Sequence, residues 1–332
     1  MQKYGIEYIV KSHDEVASTP PTHLKNFFLF RPFEAIVEMY GTPNYTELDP
    51  TAFVAITAFL MFGFMFGDVG HGAVLLILGI LMMFKKINFG KIFGALGISS
   101  IIFGVLYGSV FGKEDIIHHV LISPMENITT MLISGIAFGT ILIILAILLN
   151  IRNGIKAKDI KRIFFSENGI AGLLFYGLIL TQVVVYFTKG NMLIPINILV
   201  AVLVALLVII LFKDNIAKVI SKKKEEANGA FVEKIFELLE TLLSFVSNTI
   251  SFVRLAAFAI NHVGLCMAVY ILSNMASGAG SIAIAIIGNI IVIVLEGLIV
   301  GIQVLRLEYY ELFSRFYEGN GKKYVPIKEE LK

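Results

Sequence analysis

The 332-residue chain has one cysteine, no tryptophan, eight prolines and few charges. A single cysteine, Cys266, excludes disulfide frameworks, Cys-based zinc centres and iron–sulfur clusters. Eight prolines exclude a Pro-rich linker protein. No P-loop, Ser/His/Asp constellation or Gly-rich phosphate cradle is present, so no ATP site and no cofactor are expected on this chain. Residues 1–44 lack the basic, apolar, small-residue order of a signal peptide. Charged residues make up only 16%, against about 25% in ordinary soluble domains. Hydrophobic residues make up 57%, and the mean hydropathy is +0.83. The net charge of +2 gives no reason to expect nucleic acid as a partner. This is the composition of an all-α, polytopic membrane protein.

A bilayer core takes roughly 20 apolar residues per helix. Such stretches run 50–67, 68–84, 92–111, 128–149, 169–187, 192–212, 231–275 and 281–316, predicting eight transmembrane helices. The first two share the turn Gly67-Asp68-Val69-Gly70-His71-Gly72, which suits two short helices or one kinked element. Asp68 and His71 read there as a turn cap. The basic, amphipathic stretch His23–Gly41 reads as an interfacial segment. Three loops on one side hold thirteen Lys and Arg residues, whereas the alternate loops hold only Lys113 and Lys189. Positive charge marks the cytoplasmic side, which then holds both termini. Gly104, Gly108 and Gly112, like Gly135 and Gly139, recur every four residues and read as helix-packing surfaces. The chain thus divides into a lead-in segment 1–49, a six-helix scaffold 50–230 and a long two-helix hairpin 231–332. His118 and His119 lack a third ligand, so no metal is expected, and Cys266 reads as a small apolar residue.

Two arginines break the apolar rule. Arg254 lies in SFVRLAAFAINHVG and Arg306 in LEGLIVGIQVLRLEYY. A charge at the bilayer centre costs at least about 2.5–3.5 kcal/mol and normally faces a partner or a wet cavity. At about 100° per residue, Glu240, Ser244, Ser247, Ser251, Arg254, Asn261 and His262 share one helix face. On the last span Asn289, Glu296 and Gln303 recur every seven residues, with Arg306 close to that line. His262 then lies about 12 Å outside Arg254 and Glu240 about 21 Å inside it, and Glu296 about 15 Å outside Arg306. A polar stripe also serves as glue between helices; two stripes that each carry an arginine favour an ion path. Glu240, Ser244, Ser247 and Ser251 would form its cytoplasmic half, and Glu296, His262, Asn289 and Gln303 its exterior half. With no carboxylate expected at the arginines' own depth, the group that carries an ion past them is expected on a partner. The rival reading is a self-contained secondary transporter whose arginines bind an anion. Its broken, repeated half-helices find no counterpart in the long stripe of 231–275.

At these residues the sequence resembles the membrane half of the V-type ATPase subunit a, called subunit I in archaeal A-type ATP synthases. The likeness rests on PPTHLKNFFLFRPFEAIVEMYGTPNYTELDPT, FMFGDVGHG, FGVLYGSVFG, SFVRLAAFAINHVGL and LEGLIVGIQVLRLEYYELFSRFYEGNGKKYVPI, spread over most of the chain. The resemblance implies a stator whose Arg254 and Arg306 face a rotating ring of proteolipid c subunits. Arg254 would displace the ion from the ring's carboxylate. Peripheral-stalk and soluble ATPase subunits are implied as further partners, beside the lipid bilayer. Family members carry a large cytoplasmic N-terminal domain, and this sequence opens just before the first span. Eukaryotic relatives often have histidine where Gln303 stands and tryptophan near Ala256–Ala257. The lack of tryptophan favours the archaeal or bacterial type, in a plasma membrane.

Overall fold

In lipid an apolar run satisfies its own backbone hydrogen bonds only as a helix or a closed barrel. The computed structural model takes the helical solution, with isolated β-bridges and no strand among the described residues. It describes residues 20–45, 47–87, 89–113, 124–125, 127–213, 216 and 231–324. His118, His119, Lys218 and Lys222–Lys224 lie outside them.

A short helix α1 (Glu34–Tyr40) precedes α2 (Thr51–Met65), α3 (Val69–Phe84), α4 (Gly90–Tyr107), α5 (Ile128–Ala157), α6 (Ile170–Lys189) and α7 (Ile196–Leu211). The predicted stretch 231–275 forms α8 (Phe231–Ser251) and α9 (Val253–Met275), parted only at Phe252. The last helix, α10, runs Ala279–Phe316 and contains two π-helical turns, Val292–Glu296 and Leu307–Phe313. Every predicted apolar stretch is helical. Five helices are long and apolar enough to cross a membrane: α4, α5, the helix spanning Lys161–Tyr186, Lys234–Met275 and α10. Helices α2, α3 and α7 are apolar but shorter, at 15, 16 and 16 residues.

The open question at residues 67–72 resolves as two helices. Asp68, extended and fully buried, caps α3 by accepting the His71 N–H at 2.8 Å, as the turn reading predicted. The same carboxylate accepts from Ser109 Oγ (2.7 Å), Phe111 N (3.0 Å) and Gly112 N (2.8 Å). It thereby latches the loop after α4 onto the start of α3.

The glycine stripes divide. Gly104 lies against the Asp68–Val69 backbone, and Gly135 and Gly139 bring α5 onto Ala256 and Phe252. Gly108 and Gly112 belong to no packing stripe, because α4 ends at Tyr107 and both take left-handed backbone (φ 77° and 72°). A Cβ at Gly139 would stand 2.0 Å from Phe252 Cγ, whereas one at Gly177 on α6 would meet nothing within 4 Å. Gly139→Ala is therefore expected to lower the melting temperature of the purified chain, since overpacking costs about 1–3 kcal/mol. Gly177→Ala should leave it unchanged or raise it slightly. A melt that fails to separate the two would discount the close α5–α9 approach.

The basic loops gather at one end of the bundle. Lys156 donates to the Glu47 carbonyl, Arg162 pairs with Glu318, and Lys213 pairs with Glu167 (2.9 Å) and Glu237 (2.6 Å). Burial alone would lower the Lys213 pKa, but those two carboxylates raise it above the ordinary value. The segments before α2 and after α10 meet there too. Thr22 bridges to Lys323 and Thr42 to Asn320, while Tyr317 Oη donates to the Gly41 carbonyl at 2.6 Å. Lys113 stands at the other end of α9, 4.7 Å above the Tyr270 ring.

Candidate functional site

Helices α8, α9 and α10 carry the predicted polar residues and bring most of them into three groups. The middle group holds the arginines. Arg254 Nη2 donates to Ser251 Oγ at 3.2 Å, and its Nη1 lies 4.0 Å from Glu311 Oε1. Ser251 donates in turn to Glu311. Arg254 and Arg306 lie close enough to repel one another. Arg306 is exposed and has no ion pair among the described residues.

Glu311 corrects the expectation that the chain has no carboxylate at the arginines' depth. Its cause is the π-helical turn Leu307–Phe313, in which residues five apart stack rather than four. That turn brings position 311 beneath 306. A second acid on the turn, Glu308, is fully buried and accepts from Thr57 of α2. Neither acid is among the site residues expected from the sequence, although both lie at helical spacing from the buried Val304 and Leu307.

Toward the end opposite the basic loops, Glu296 is buried with Oε2 2.7 Å from His262 Nδ1 and Oε1 3.3 Å from Asn261 Nδ2. Asn289 does not join them directly; its Oδ1 lies 2.8 Å from His71 Nε2 on α3. The rings of His71 and His262 stand edge to face, 5.3 Å apart. Gln303 lies between this group and the arginines in sequence, half-buried, with a buried Oε1 that has no partner among the described residues.

Toward the basic end, Glu240 and Ser244 line a cavity of about 330 Å³ with Glu167, Glu237, Ser314 and Arg315. Arg315 is buried, donates to Asn168 Oδ1 at 3.1 Å and lies 5.1 Å from the Phe245 ring. It is not among the site residues expected from the sequence. Ser247 stands exposed on α8, outside this cavity lining.

One more pattern runs the length of α10. Ile282, Ile286, Ile290, Val294, Leu298 and Ile302 are exposed at four-residue spacing, and Arg306 is the next member. An apolar stripe that none of the described residues covers thus ends in a cation.

Membrane-length apolar helices that bury acids and imidazoles between them and carry an arginine pair at mid-length define an integral membrane protein. Comparison with known proteins narrows the class. The chain belongs to the V-type ATPase 116kDa subunit family, whose pattern matches residues 2–112 and 212–328. The A-type ATP synthase subunit I of Saccharolobus solfataricus is 26% identical, over 93% of this chain and 54% of that protein. The subunit I of Pyrococcus horikoshii is 27% identical, over 97% of this chain and 50% of its own length. The vacuolar proton translocating ATPase 100 kDa subunit of Dictyostelium discoideum is 44% identical over a 59-residue stretch, 18% of this chain. The chain spans about half the length of the archaeal relatives it matches.

Proposed function

We propose that the chain is the ion-conducting stator of a rotary ATPase or ATP synthase, working against a ring of proteolipid subunits that carry a membrane carboxylate. The observation that carries this reading is the uncovered apolar stripe of α10 ending in Arg306, with Arg254 beside it. In lipid alone that surface would leave an arginine without a polar partner, at a cost of several kcal/mol. A ring helix with a carboxylate at that depth supplies both the apolar contact and the counter-charge.

The two remaining groups read as half-channels. Glu240, Ser244, Ser247 and Ser251 lead from the cytoplasm toward Arg254, and the polar cavity at Glu240 supports a wet entry there. Glu296, His262, Asn289 and Gln303 lead from the exterior. The arginines stay charged at any accessible pH, so an ion crosses their level only on the ring. Glu311 gives Arg254 a resting partner when no ring carboxylate faces it.

The topology that fits has eight spans, with α2, α3 and α7 as the short ones and both termini cytoplasmic. The pairing of residues before α2 with residues after α10 supports an even number of crossings. The scaffold 50–230 and the hairpin from 231 are then divided by role. An archaeal or bacterial plasma membrane suits the two archaeal relatives named above, and stalk and soluble ATPase subunits would complete the machine.

Crosslinking tests the ring. With Cys266 replaced by alanine, a cysteine introduced at Ile302 or Ala257, both exposed, is expected to crosslink to a co-purifying proteolipid oligomer. A chain that purifies and crosslinks to no such ring, yet conducts ions alone, would establish the transporter reading in its place.

A further inference from the structure

Outside the arginine group, His71, His262 and Cys266 form a cluster whose potential ligand atoms all lie within 4.8 Å of one another. All three are buried, at 0%, 1% and 3% exposure. The sequence argument against a Cys-based zinc centre holds for sites built from several cysteines. A mixed site with one cysteine, one imidazole four residues before it and a second from a distant helix is a different case.

We propose that His71, His262 and Cys266 bind a thiophilic divalent cation of the Zn²⁺ class, and that an ion held there blocks the exterior half-channel. The blocking half rests on the stator reading above; the binding half does not.

Three features of the geometry support a ligand set over a chance contact. His262 and Cys266 are four residues apart on α9 and share a face, with Sγ 3.9 Å from His262 Nε2. Ligand atoms on a tetrahedral zinc lie roughly 3.3–3.8 Å apart, given bonds of ~2.0–2.1 Å to nitrogen and ~2.3 Å to sulfur. Small side-chain rotations therefore close the set. Second, the Glu296 carboxylate at His262 Nδ1 requires the proton on Nδ1 and leaves the Nε2 lone pair toward the sulfur. A carboxylate behind a ligating imidazole orients it and raises its basicity. Third, His71 is fixed from two sides. Asn289 holds its Nε2, and Asp68 holds its backbone N–H, while Nδ1 makes no hydrogen bond among the described residues and stands 3.5 Å from Asp68 Oδ1.

The sulfur is equally constrained. Gly112 packs so closely that a Cβ there would stand 2.0 Å from Cys266 Cβ. The Asp68 latch on the Phe111 and Gly112 N–H groups keeps that backbone in position. Two imidazoles and a thiolate suit zinc or copper and exclude the hard, oxygen-seeking ions Mg²⁺ and Ca²⁺. Bound zinc would occupy the His262 Nε2 lone pair and set a fixed positive charge beside Asn289 and Glu296. Protons or sodium ions could then no longer be handed along that side.

The single cysteine makes the test sharp. Co²⁺ titrated into the full purified chain is expected to give a thiolate-to-cobalt charge-transfer band saturating at one equivalent and displaced by Zn²⁺. Any such band must come from Cys266. It should vanish in Cys266→Ala, and Co²⁺ affinity should fall at least ~10-fold in His71→Gln, since even outer ligand-shell changes cost ~10–100-fold. No band in the wild-type chain at saturating Co²⁺ overturns the site, and so does a His71→Gln affinity equal to wild type. In the assembled complex, external Zn²⁺ should inhibit ATP-driven ion transport. Cys266→Ala should raise the half-inhibitory zinc concentration at least tenfold, each variant compared with its own zinc-free rate. Stoichiometric binding without inhibition would overturn the block and count against the half-channel, leaving the metal site standing.

Discussion

ATP-driven ion transport by the assembled complex is expected to fall at least ~10-fold, and up to ~100-fold, when Arg254 is replaced by lysine. The charge survives this substitution; the fork does not. Arg254 uses Nη2 on Ser251 and turns Nη1 toward Glu311, an arrangement that one ammonium cannot reproduce. Losing a charge-assisted hydrogen bond costs about 1.5–3 kcal/mol, and each 1.4 kcal/mol is tenfold. Lysine also discharges when desolvated, which arginine does not, so the barrier between the proposed half-channels would become leaky. The measurement is transport in proteoliposomes at equal amounts of inserted subunit. Transport at the wild-type rate in Arg254→Lys would remove Arg254 from the mechanism.

Arg306→Lys is expected to do less. Arg306 is exposed and has no intrachain ion pair among the described residues, so a lysine there keeps the point charge and loses no described hydrogen bond. The asymmetry is itself diagnostic: if both arginines only fixed helices together, the more buried and better bonded one would cost stability rather than coupling.

The helices were legible because lipid leaves the backbone little choice, and each apolar run of the right length became one. On α8 and α9 the winding stays near-regular through Phe252, so helical spacing places Glu240 and Ser244 at one cavity and Ser251 beside Arg254, while Ser247 is exposed. Regularity fails on α10. The heptad Asn289, Glu296, Gln303 assumes unbroken winding, yet the π-turn Val292–Glu296 intervenes and sends Asn289 and Glu296 to different partners, His71 and His262. Nothing local in a sequence marks a π-turn when its residues are as helix-compatible as VIVLE. The His71–His262–Cys266 cluster was half legible: the i, i+4 pair is visible on α9, but its third member depends on the start of α3 reaching α9, where the His71 and His262 rings meet. Asp68 was read correctly as a cap and underestimated as a latch, because Ser109, Phe111 and Gly112 reach it from the far end of α4.

That latch carries the largest stability effect expected outside the ion path. Asp68→Ala should lower the stability of the purified chain by roughly 4 kcal/mol or more. Alanine would strand the N–H groups of His71, Phe111 and Gly112 and the Ser109 hydroxyl, all bound at 2.7–3.0 Å. A buried donor left without a partner costs about 1–3 kcal/mol each, and partial relaxation of the loop recovers some of the sum. The carboxylate also sits at the start of α3, where the helix dipole favours negative charge. Asp68→Asn keeps one acceptor oxygen and should fall between wild type and alanine. Thermal melts in detergent give the ranking. Faster limited proteolysis after Lys113 in Asp68→Ala than in wild type gives the location. Loss of the latch also releases Gly112 from Cys266, so Asp68→Ala should weaken Co²⁺ binding although Asp68 is not a ligand. Equal melting of all three proteins would mean that the loop is held by its apolar contacts and that the four hydrogen bonds merely satisfy a carboxylate buried for another reason.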